Sequence, residues 1–363
     1  MSSIASPFPV TRNANAVAPD ERARRIENPL FGTVFTDHMA RVHYSAERGW
    51  HDAAIVPRAP LTLDPATSVL HYAQEIFEGM KAYRLADGAM ALFRPDANAA
   101  RFQASAERMA MPSLPAEMFM AAVAGLVDVD RDWMPSMDGG ALYLRPFMFA
   151  SEAFLGVRPA KEYLFLVIAS PVGAYFKGAP SAITIWVSDD YTRAARGGTG
   201  AAKCGGNYAA SLTAQAQGIE HGCDQVVFLD AVERRWVEEL GGMNLFFAMA
   251  DGSLVTPPLS GTILPGITRD SLIMLARDEG MEVVERPYAI DEWEADAKNG
   301  TLRETFACGT AAVVTAVGKV RSANGEFQIG SGGPGQLTER LRQRLVAIQR
   351  GNIADPHDWV WRI

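Results

Sequence analysis

Cysteine is scarce in this sequence. Its 363 residues include only Cys204, Cys223 and Cys308, an odd number with no CxxC spacing. A secreted disulfide scaffold or a cysteine-based zinc site would need more cysteines at closer spacing. The histidines are also scattered, and the pair in "TDHMARVH" matches no common zinc pattern. We therefore expect reduced thiols, a cytoplasmic location and no metal site.

Long apolar runs and an excess of positive charge are also missing. The longest apolar run, 163–176, is shorter than a membrane-spanning helix and contains a proline. The opening "MSSIASPFPVTRN" lacks the positive start and apolar core of a secretion signal. The formal net charge is -8 and the pI is near 5.4, which is opposite to a nucleic-acid-binding surface. These absences predict that neither nucleic acid nor a membrane is a partner.

The length of the chain is sufficient for two mixed α/β domains. Residues 1–174 predict a small N-terminal α/β domain, in which 1–25 form a loose arm. The glycine- and proline-bearing stretch 175–187 predicts the connection, and 188–363 predict a larger C-terminal domain.

Hydrophobic periodicity assigns elements to both halves. Two helices are predicted over 96–111, with Asp96 as N-cap, and over 115–130. Strands are predicted over 141–150 and 163–172, the second apolar enough to be buried on both faces. Further along, "QVVFLDAVERRWVEE" and "NLFFAMADGSLVTP" predict hairpins, and "ITRDSLIMLARDEG" predicts a helix entered from "LPG".

One lysine stands in a run of small residues. In "GGTGAAKCGGNYAAS", residues 197–211, Lys203 is the only charged side chain. A P-loop would need glycine and a hydroxyl residue where Ala202 and Cys204 stand, and no dinucleotide-binding glycine series follows a strand. Two interpretations remain: a solvated lysine in a flexible loop, or an amine with space for a bulky planar aldehyde such as pyridoxal phosphate.

Pyridoxal phosphate needs three further partners, and the sequence offers a candidate for each. The Ile267 and Thr268 amides would face an anion, unless Thr268 is the N-cap of an ordinary helix entry. "VEELGGMN" supplies Glu238 and Glu239, of which at most one faces a site, and Tyr208 lies at a helix start. The alternative for the two glutamates is a solvated strand end, and the alternative for Tyr208 is an ordinary core tyrosine; the sequence pattern is the same in either case. Spacing alone therefore indicates only a candidate Schiff-base lysine enzyme.

Several motifs together resemble one family. "HYAQEIFEGMKAYR", "LYLRP", "SPVGAYFKG", the lysine stretch, "EELGGMN", "LPGITRDSL" and "CGTAA" occur in the order found in the branched-chain amino-acid aminotransferases, pyridoxal-phosphate enzymes of fold type IV. The resemblance runs from about residue 31 to the C-terminus. It implies a mixed α/β fold like that of D-amino-acid aminotransferase, with two domains and the cofactor at their interface.

The resemblance implies a role for each residue that matches these motifs. Lys203 would form the Schiff base, Tyr208 would bind the phenolic oxygen, and Glu239 rather than Glu238 would bind the pyridine nitrogen. The implied phosphate ligands are Arg101, the Ile267 and Thr268 amides, and Thr310. The implied substrate-binding residues are Phe35, Tyr72, Phe77, Tyr143, Arg145, Tyr175, Gly242, Ala311 and, from the other subunit, Val157. Gly242 stands where the mammalian enzymes carry threonine.

The implied activity is a ping-pong transamination between leucine, isoleucine or valine and 2-oxoglutarate, which yields branched 2-oxo acids and glutamate. Lys203 would move the proton, and Arg145 would seat the distal carboxylate of glutamate. The role of Val157 requires a homodimer. Related alternatives are a D-amino-acid aminotransferase and an aminodeoxychorismate lyase. A non-catalytic binder of a phosphate ligand is the alternative from another class.

Overall fold

The computed structural model describes residues 8–137, 139–173 and 182–363. It divides the chain into two compact units. The first comprises Met1–Lys177, Ala202–Gly205 and Ala347–Ile363, and the second comprises Gly178–Ala201 and Gly206–Val346. Ala202–Gly205, which include Lys203, and Ala347–Ile363 thus belong to the first unit, whereas the sequence-based prediction placed them in the C-terminal domain 188–363.

Strands and helices are mixed along the described part of the chain. Its strands are β1 (His38–Ser45), β2 (Gly49–Pro57), β3 (Glu75–Phe77), β4 (Met80–Arg84), β5 (Met90–Phe93), β6 (Ala141–Ala150), β7 (Glu162–Val172), β8 (Ala182–Ser188), β9 (Gln225–Leu229), β10 (Val237–Leu240), β11 (Asn244–Met249), β12 (Leu254–Thr256), β13 (Val283–Glu285), β14 (Leu302–Gly309), β15 (Val313–Ser322), β16 (Gly325–Gln328) and β17 (Val360–Arg362). Its α-helices are α1 (Pro19–Glu27), α2 (Val69–Tyr72), α3 (Pro95–Arg108), α4 (Ala116–Val129), α5 (Gly205–Ala209), α6 (Leu212–Glu220), α7 (Ile267–Asp278), α8 (Ile290–Asn299) and α9 (Gln336–Gln349). The end of the predicted connection, from residue 182, is strand β8; residues 174–181 lie outside the described part.

The first unit is built on an antiparallel sheet. Its strands lie in the order β17-β5-β4-β6-β7-β1-β2, and β3 pairs with β6. Strand β7 is buried on both faces, as its sequence predicted: Phe165 packs with Phe102 and Phe119 of α3 and α4, and Leu166 belongs to a separate cluster with Met39. Each buried phenylalanine contributes about 1.5–3 kcal/mol. This packing fixes α3, which carries Arg101, against the sheet.

The start of α3 differs from the sequence-based prediction. Arg94, at a φ of 49°, is the N-cap residue, and Pro95 opens the helix. Asp96 was predicted as the N-cap, and this was wrong, because the fixed φ of proline suits the first helical position. Asp96 lies instead in the first turn, where a carboxylate interacts favourably with the helix dipole.

The second unit is built on a mixed sheet. Its strands lie in the order β10-β9-β8-β15-β14-β11-β12-β13, and β16 pairs with β15. Both predicted hairpins are confirmed as the antiparallel pairs β9–β10 and β11–β12, and Gly252 in the second turn has a φ of 90°. Strand β8 runs parallel to β9 and β15. Across residues 8–137, 139–173 and 182–363, no helix is long and apolar enough to cross a membrane.

Candidate active site

Lys203 is held rigidly within the first unit. Its backbone N–H donates to Ser105 Oγ of α3 at 3.0 Å, and its carbonyl accepts the N–H of Phe77 of β3 at 2.9 Å. The Nζ atom lies 4.8 Å from the centre of the Phe77 ring. A flexible loop at this lysine is therefore wrong, because both sides of its peptide are hydrogen-bonded to residues of α3 and β3.

The surroundings of Lys203 make its amine less basic. Burial lowers the pKa of Lys203 to about 8, and the positive charge of Arg101 acts in the same direction, while Glu78 opposes the change. A lysine attacks a carbonyl only as the neutral amine. A pKa of about 8 leaves a far larger neutral fraction near neutral pH than an exposed lysine has. Near neutral pH, Lys203 is therefore a better candidate nucleophile than an exposed lysine.

We expect the reactivity of Lys203 in the apoprotein to level off near pH 8. The neutral fraction of an amine rises about tenfold per pH unit below its pKa and saturates above it. Competitive labelling with acetic anhydride across a pH series, followed by mass spectrometry of the Lys203 peptide, measures this midpoint. Exposed Lys298 serves as the internal control. A Lys203 midpoint at the ~10.4 of a model peptide would contradict the lowered pKa.

Arg101 is bound by an acid that the sequence analysis missed. Its Nε and Nη2 donate to Glu78 Oε1 and Oε2 at 2.7 and 2.8 Å, and Asn98 Nδ2 donates to Oε2 at 2.7 Å. The Glu78 side chain is fully buried. Burial alone would raise the pKa of Glu78, but the charge and hydrogen bonds of Arg101 hold it below its ordinary value. Glu78 therefore keeps the Arg101 guanidinium oriented near Lys203.

Three predicted substrate residues gather beside Lys203. The Arg145 guanidinium carbon lies 4.8 Å from the Phe77 ring centre, and Arg145 Nη2 donates to the Tyr143 hydroxyl at 3.2 Å. Among the described residues, Arg145 Nε is buried without a hydrogen-bond partner. A Cβ on Gly79 would overlap the Tyr143 hydroxyl, so a larger residue there would displace the Tyr143 ring. This cluster supplies two aromatic rings and the Arg145 guanidinium, whose Nε–H is available to donate a hydrogen bond.

No described contact joins Phe35, Tyr72 or Val157, which were also predicted to line the pocket, to this cluster. The Phe35 ring faces the guanidinium of Arg58 at 5.2 Å. Tyr72 donates its hydroxyl to the Leu155 carbonyl at 2.5 Å, and Val157 is 89% exposed on the following turn. Tyr175 lies outside the described residues.

The second unit places Glu239 in a buried polar cluster. Glu239 is 2% exposed, and its Oε1 pairs with Arg193 Nη1 at 2.9 Å and accepts the Leu264 N–H at 2.8 Å. Asn244 Nδ2 donates to Oε2 at 3.1 Å. The Arg193 guanidinium on Oε1 and the hydrogen-bond donors on both oxygens fix the orientation of this carboxyl group. Arg193 is a second member of the site that the sequence analysis missed.

The start of α7 lies close to Glu239 in the same unit, because Leu264, three residues before Ile267, donates its N–H to Glu239 Oε1. Gly266 is the N-cap of α7 and has no side-chain cap, so the alternative with Thr268 as N-cap is wrong. Among the described residues, no acceptor pairs with the Ile267 or Thr268 amide. A Cβ on Gly266 would overlap Asn244 Oδ1, which ties this turn to the Glu239 cluster. Unpaired amides at a helix start form an anion site.

Tyr208, Gly242 and the Thr310 turn also adjoin one another in the second unit. A Cβ on Gly242 would lie 3.7 Å from Tyr208 Cε1, and a Cβ on Gly309 would lie 3.5 Å from the Gly242 carbonyl oxygen. Thr310 and Ala311 form the turn that follows Gly309 and joins β14 to β15. This unit therefore offers a carboxylate, a phenol and unpaired amides, and this donor set fits pyridoxal phosphate.

The class IV amino-transferase family model matches residues 75–320. This chain belongs to the class IV amino-transferases. This class IV amino-transferase is 57% identical over 349 residues to a probable branched-chain-amino-acid aminotransferase of Streptomyces coelicolor, with 96% of each chain covered. It is 54% identical over 367 residues to the branched-chain-amino-acid aminotransferase of Mycobacterium tuberculosis, with 100% of each chain covered.

Solved structures confirm the predicted fold of this class IV amino-transferase. The Escherichia coli branched-chain amino acid aminotransferase superposes with a TM-score of 0.75 at 28% identity, covering 89% of this chain and 98% of that one. The branched-chain amino acid aminotransferase from Thermobaculum terrenum, in its PLP-bound holo form, gives a TM-score of 0.71 at 25% identity, covering 90% of this chain and 98% of that one. The resemblance read from the sequence motifs was therefore correct.

Proposed function

We propose that this class IV amino-transferase is a pyridoxal-phosphate enzyme that moves the amino group between leucine, isoleucine or valine and 2-oxoglutarate. The observation that carries the proposal is Lys203, an anchored amine whose pKa is lowered to about 8 by burial and by Arg101. The full-length similarity to branched-chain-amino-acid aminotransferases supports the substrate class. Three free, buried cysteines support a cytoplasmic location.

The family motifs assign a partner to each reactive group of the cofactor. Glu239 would bind the pyridine nitrogen, Tyr208 the phenolic oxygen and Lys203 the aldehyde carbon. Arg101, the Ile267 and Thr268 amides, and Thr310 would hold the phosphate, since a guanidinium and a helix start both favour a dianion. When bound, pyridoxal phosphate supplies an electron sink for negative charge at the substrate's α-carbon.

The chain's own residues would then bind the substrate and move its proton. Lys203 Nζ takes the proton from the substrate's α-carbon as general base and returns one as general acid, which a near-neutral pKa favours. Arg145 seats the distal carboxylate of glutamate. The family resemblance assigns the α-carboxylate of the substrate to the amides of the Thr310–Ala311 turn and to the Tyr72 hydroxyl, and it also counts Gly242 among the substrate-binding residues.

Apolar walls would select the side chain of the substrate. We assign these walls to Phe35, Phe77, Tyr143 and Tyr175, with Val157 of a second subunit. One methylene changes binding by only ~1–3 kcal/mol in such a pocket, so leucine, isoleucine and valine should all be substrates.

The decisive assay compares amino donors with the purified holoenzyme. Leucine should shift the absorption spectrum of the bound cofactor, and 2-oxoglutarate should restore it. Steady-state rates with leucine, isoleucine and valine should lie within about two orders of magnitude of one another. Turnover of D-alanine without turnover of leucine would favour the D-amino-acid aminotransferase alternative instead.

We also propose a homodimer, because one region of the first unit exposes apolar side chains. Leu70 and Tyr72 of α2 are 58% and 42% exposed, and Leu155 and Val157 are 64% and 89% exposed. The Tyr72 hydroxyl bond to Leu155 and the bridge between Thr67 and Ala153 join the two segments. Contiguous exposed apolar side chains mark an interaction surface.

Val157→Glu is expected to weaken this dimer by about 100-fold or more, because the new charge would be desolvated in an apolar interface. Sedimentation equilibrium gives the dissociation constant. Val232→Glu is the matched control, since Val232 is 85% exposed on the β9–β10 hairpin of the second unit and should leave the dimer unchanged. An equally stable Val157→Glu dimer would show that the interface lies elsewhere.

A further inference from the structure

A cavity of about 370 Å³ opens within the second unit on the side of β10 that carries Glu238. We refer to it as the β10 cavity. Glu238 is among the residues that line the cavity and Glu239 is not, in keeping with the opposite directions of neighbouring side chains on a strand. Its volume falls in the ~300–1,000 Å³ range of small-molecule sites. Its apolar walls are formed by Trp236, Val237, Pro257, Pro258, Ile263 and Pro287.

Glu238 lines this cavity, and one of its two carboxyl oxygens lacks a hydrogen-bond donor among the described residues. The residue is 7% exposed, and its Oε1 accepts the Thr262 hydroxyl at 2.5 Å. Its Oε2 is buried, and no described residue gives it a hydrogen-bond partner. A buried carboxyl oxygen without a donor is unfavourable, because it has lost its hydration and gained no hydrogen bond in return. Burial accordingly raises the pKa of Glu238 above its ordinary value. The cavity therefore favours any ligand that brings a hydrogen-bond donor to this carboxyl group.

The charged residues that line the cavity determine which charge a ligand there should carry. Asp230, Glu233 and Glu238 line it, against one cation, Arg196. Asp230 directs its oxygens to backbone amides of its own turn, yet its negative charge remains. The net negative lining repels carboxylates and phosphates and attracts cations. The walls, in turn, suit a hydrocarbon body.

We propose that the β10 cavity binds a small apolar amine in its protonated form, with its ammonium group on the Glu238 carboxylate and its hydrocarbon against the proline and tryptophan walls. This site is separate from the residues assigned to transamination. The Thr262 carbonyl accepts a hydrogen bond from Arg193 Nη1 at 2.9 Å, and Arg193 pairs with Glu239. Thr262, which lines the β10 cavity, is thus linked through Arg193 to the Glu239 carboxylate, which is assigned to the pyridine nitrogen.

The test uses N,N-dimethylbutylamine, because a tertiary amine cannot condense with the cofactor aldehyde. Calorimetric titration of the holoenzyme near neutral pH should give saturable binding with a Kd of about 1 mM or tighter. The neutral amide N,N-dimethylbutanamide, of similar shape, should bind at least about tenfold more weakly. Lys203→Ala should leave the amine Kd unchanged, so the outcome does not depend on the proposed transaminase activity.

Two substitutions test whether the amine binds in the β10 cavity. Glu238→Gln keeps the shape but removes the charge, and it should weaken the amine by about tenfold or more. Ala231→Phe should raise the Kd of the amine by a similar factor, because the larger side chain would fill the cavity. This variant tests the proposal even if Glu238→Gln does not fold. The matched control is Glu233→Gln, an exposed lining carboxylate that should change the Kd by less than about threefold. No saturable binding, equal binding of the neutral amide, or unchanged binding to the folded cavity variants would overturn the proposal.

Discussion

Lys203→Ala is expected to lower kcat for leucine by at least about 10⁴-fold. The substitution removes both the amine that would bind the cofactor aldehyde and the base that would move the substrate's α-proton, and positioned proton transfer alone contributes about 10²–10⁴-fold. The variant should still fold, because burial disfavours the charged amine, so its removal deletes an unfavourable group. Steady-state assays and the urea midpoint of the apoprotein measure the two effects independently.

The control for this prediction is Lys298→Ala, which removes an exposed lysine paired with Glu294 on α8. An exposed pair of this kind contributes ~0.3–0.5 kcal/mol, so activity and stability should both change little. Exogenous methylamine should partly restore turnover to Lys203→Ala, since it supplies a small base to the space left by the side chain. Wild-type turnover by Lys203→Ala would rule out the assigned role of this residue.

The sequence predicted those parts of the fold whose signal is local. Strand β7 occupies Glu162–Val172, close to the predicted 163–172, because a nearly unbroken apolar run can be buried only between two packed layers. The helix at 115–130 is α4, Ala116–Val129, and both hairpins form. The N-cap of α3 was missed because Pro95 and Asp96 compete for the first turn, and only backbone geometry decides between them.

The parts that could not be predicted depend on tertiary contacts. Glu78 lies near Arg101 because β3 and α3 pack together, and nothing local in the sequence records that pairing. Arg193 reaches Glu239 in the same way. Ala202–Gly205 belongs to the first unit although the residues on both sides belong to the second, a departure that no composition change marks. The roles assigned to the site residues all stay predictions, and for Phe35 and Tyr72 the described contacts are with Arg58 and Leu155.

Glu239→Gln is expected to lower kcat by about 10²–10³-fold. A neutral amide cannot stabilise a protonated pyridine nitrogen as a carboxylate does, and the loss of one fixed charge that acts on the transition state has effects of this size. Adjacent Glu238 provides the comparison, since it points to the opposite face of β10. The loss for Glu239→Gln should exceed the loss for Glu238→Gln by about 30-fold or more in parallel assays.

The same substitution should also reduce the stability of the apoprotein, because Arg193 would lose its charge partner. The two side chains are 1% and 3% exposed, so the pair is buried. Breaking a buried pair by removing one partner costs ~3–5 kcal/mol, part of which the amide oxygen of glutamine recovers by accepting hydrogen bonds. Arg193→Met with Glu239→Gln should be more stable than Glu239→Gln alone, while kcat stays low. Recovery of kcat in that double variant would show that Glu239 acts through stability and not through the cofactor.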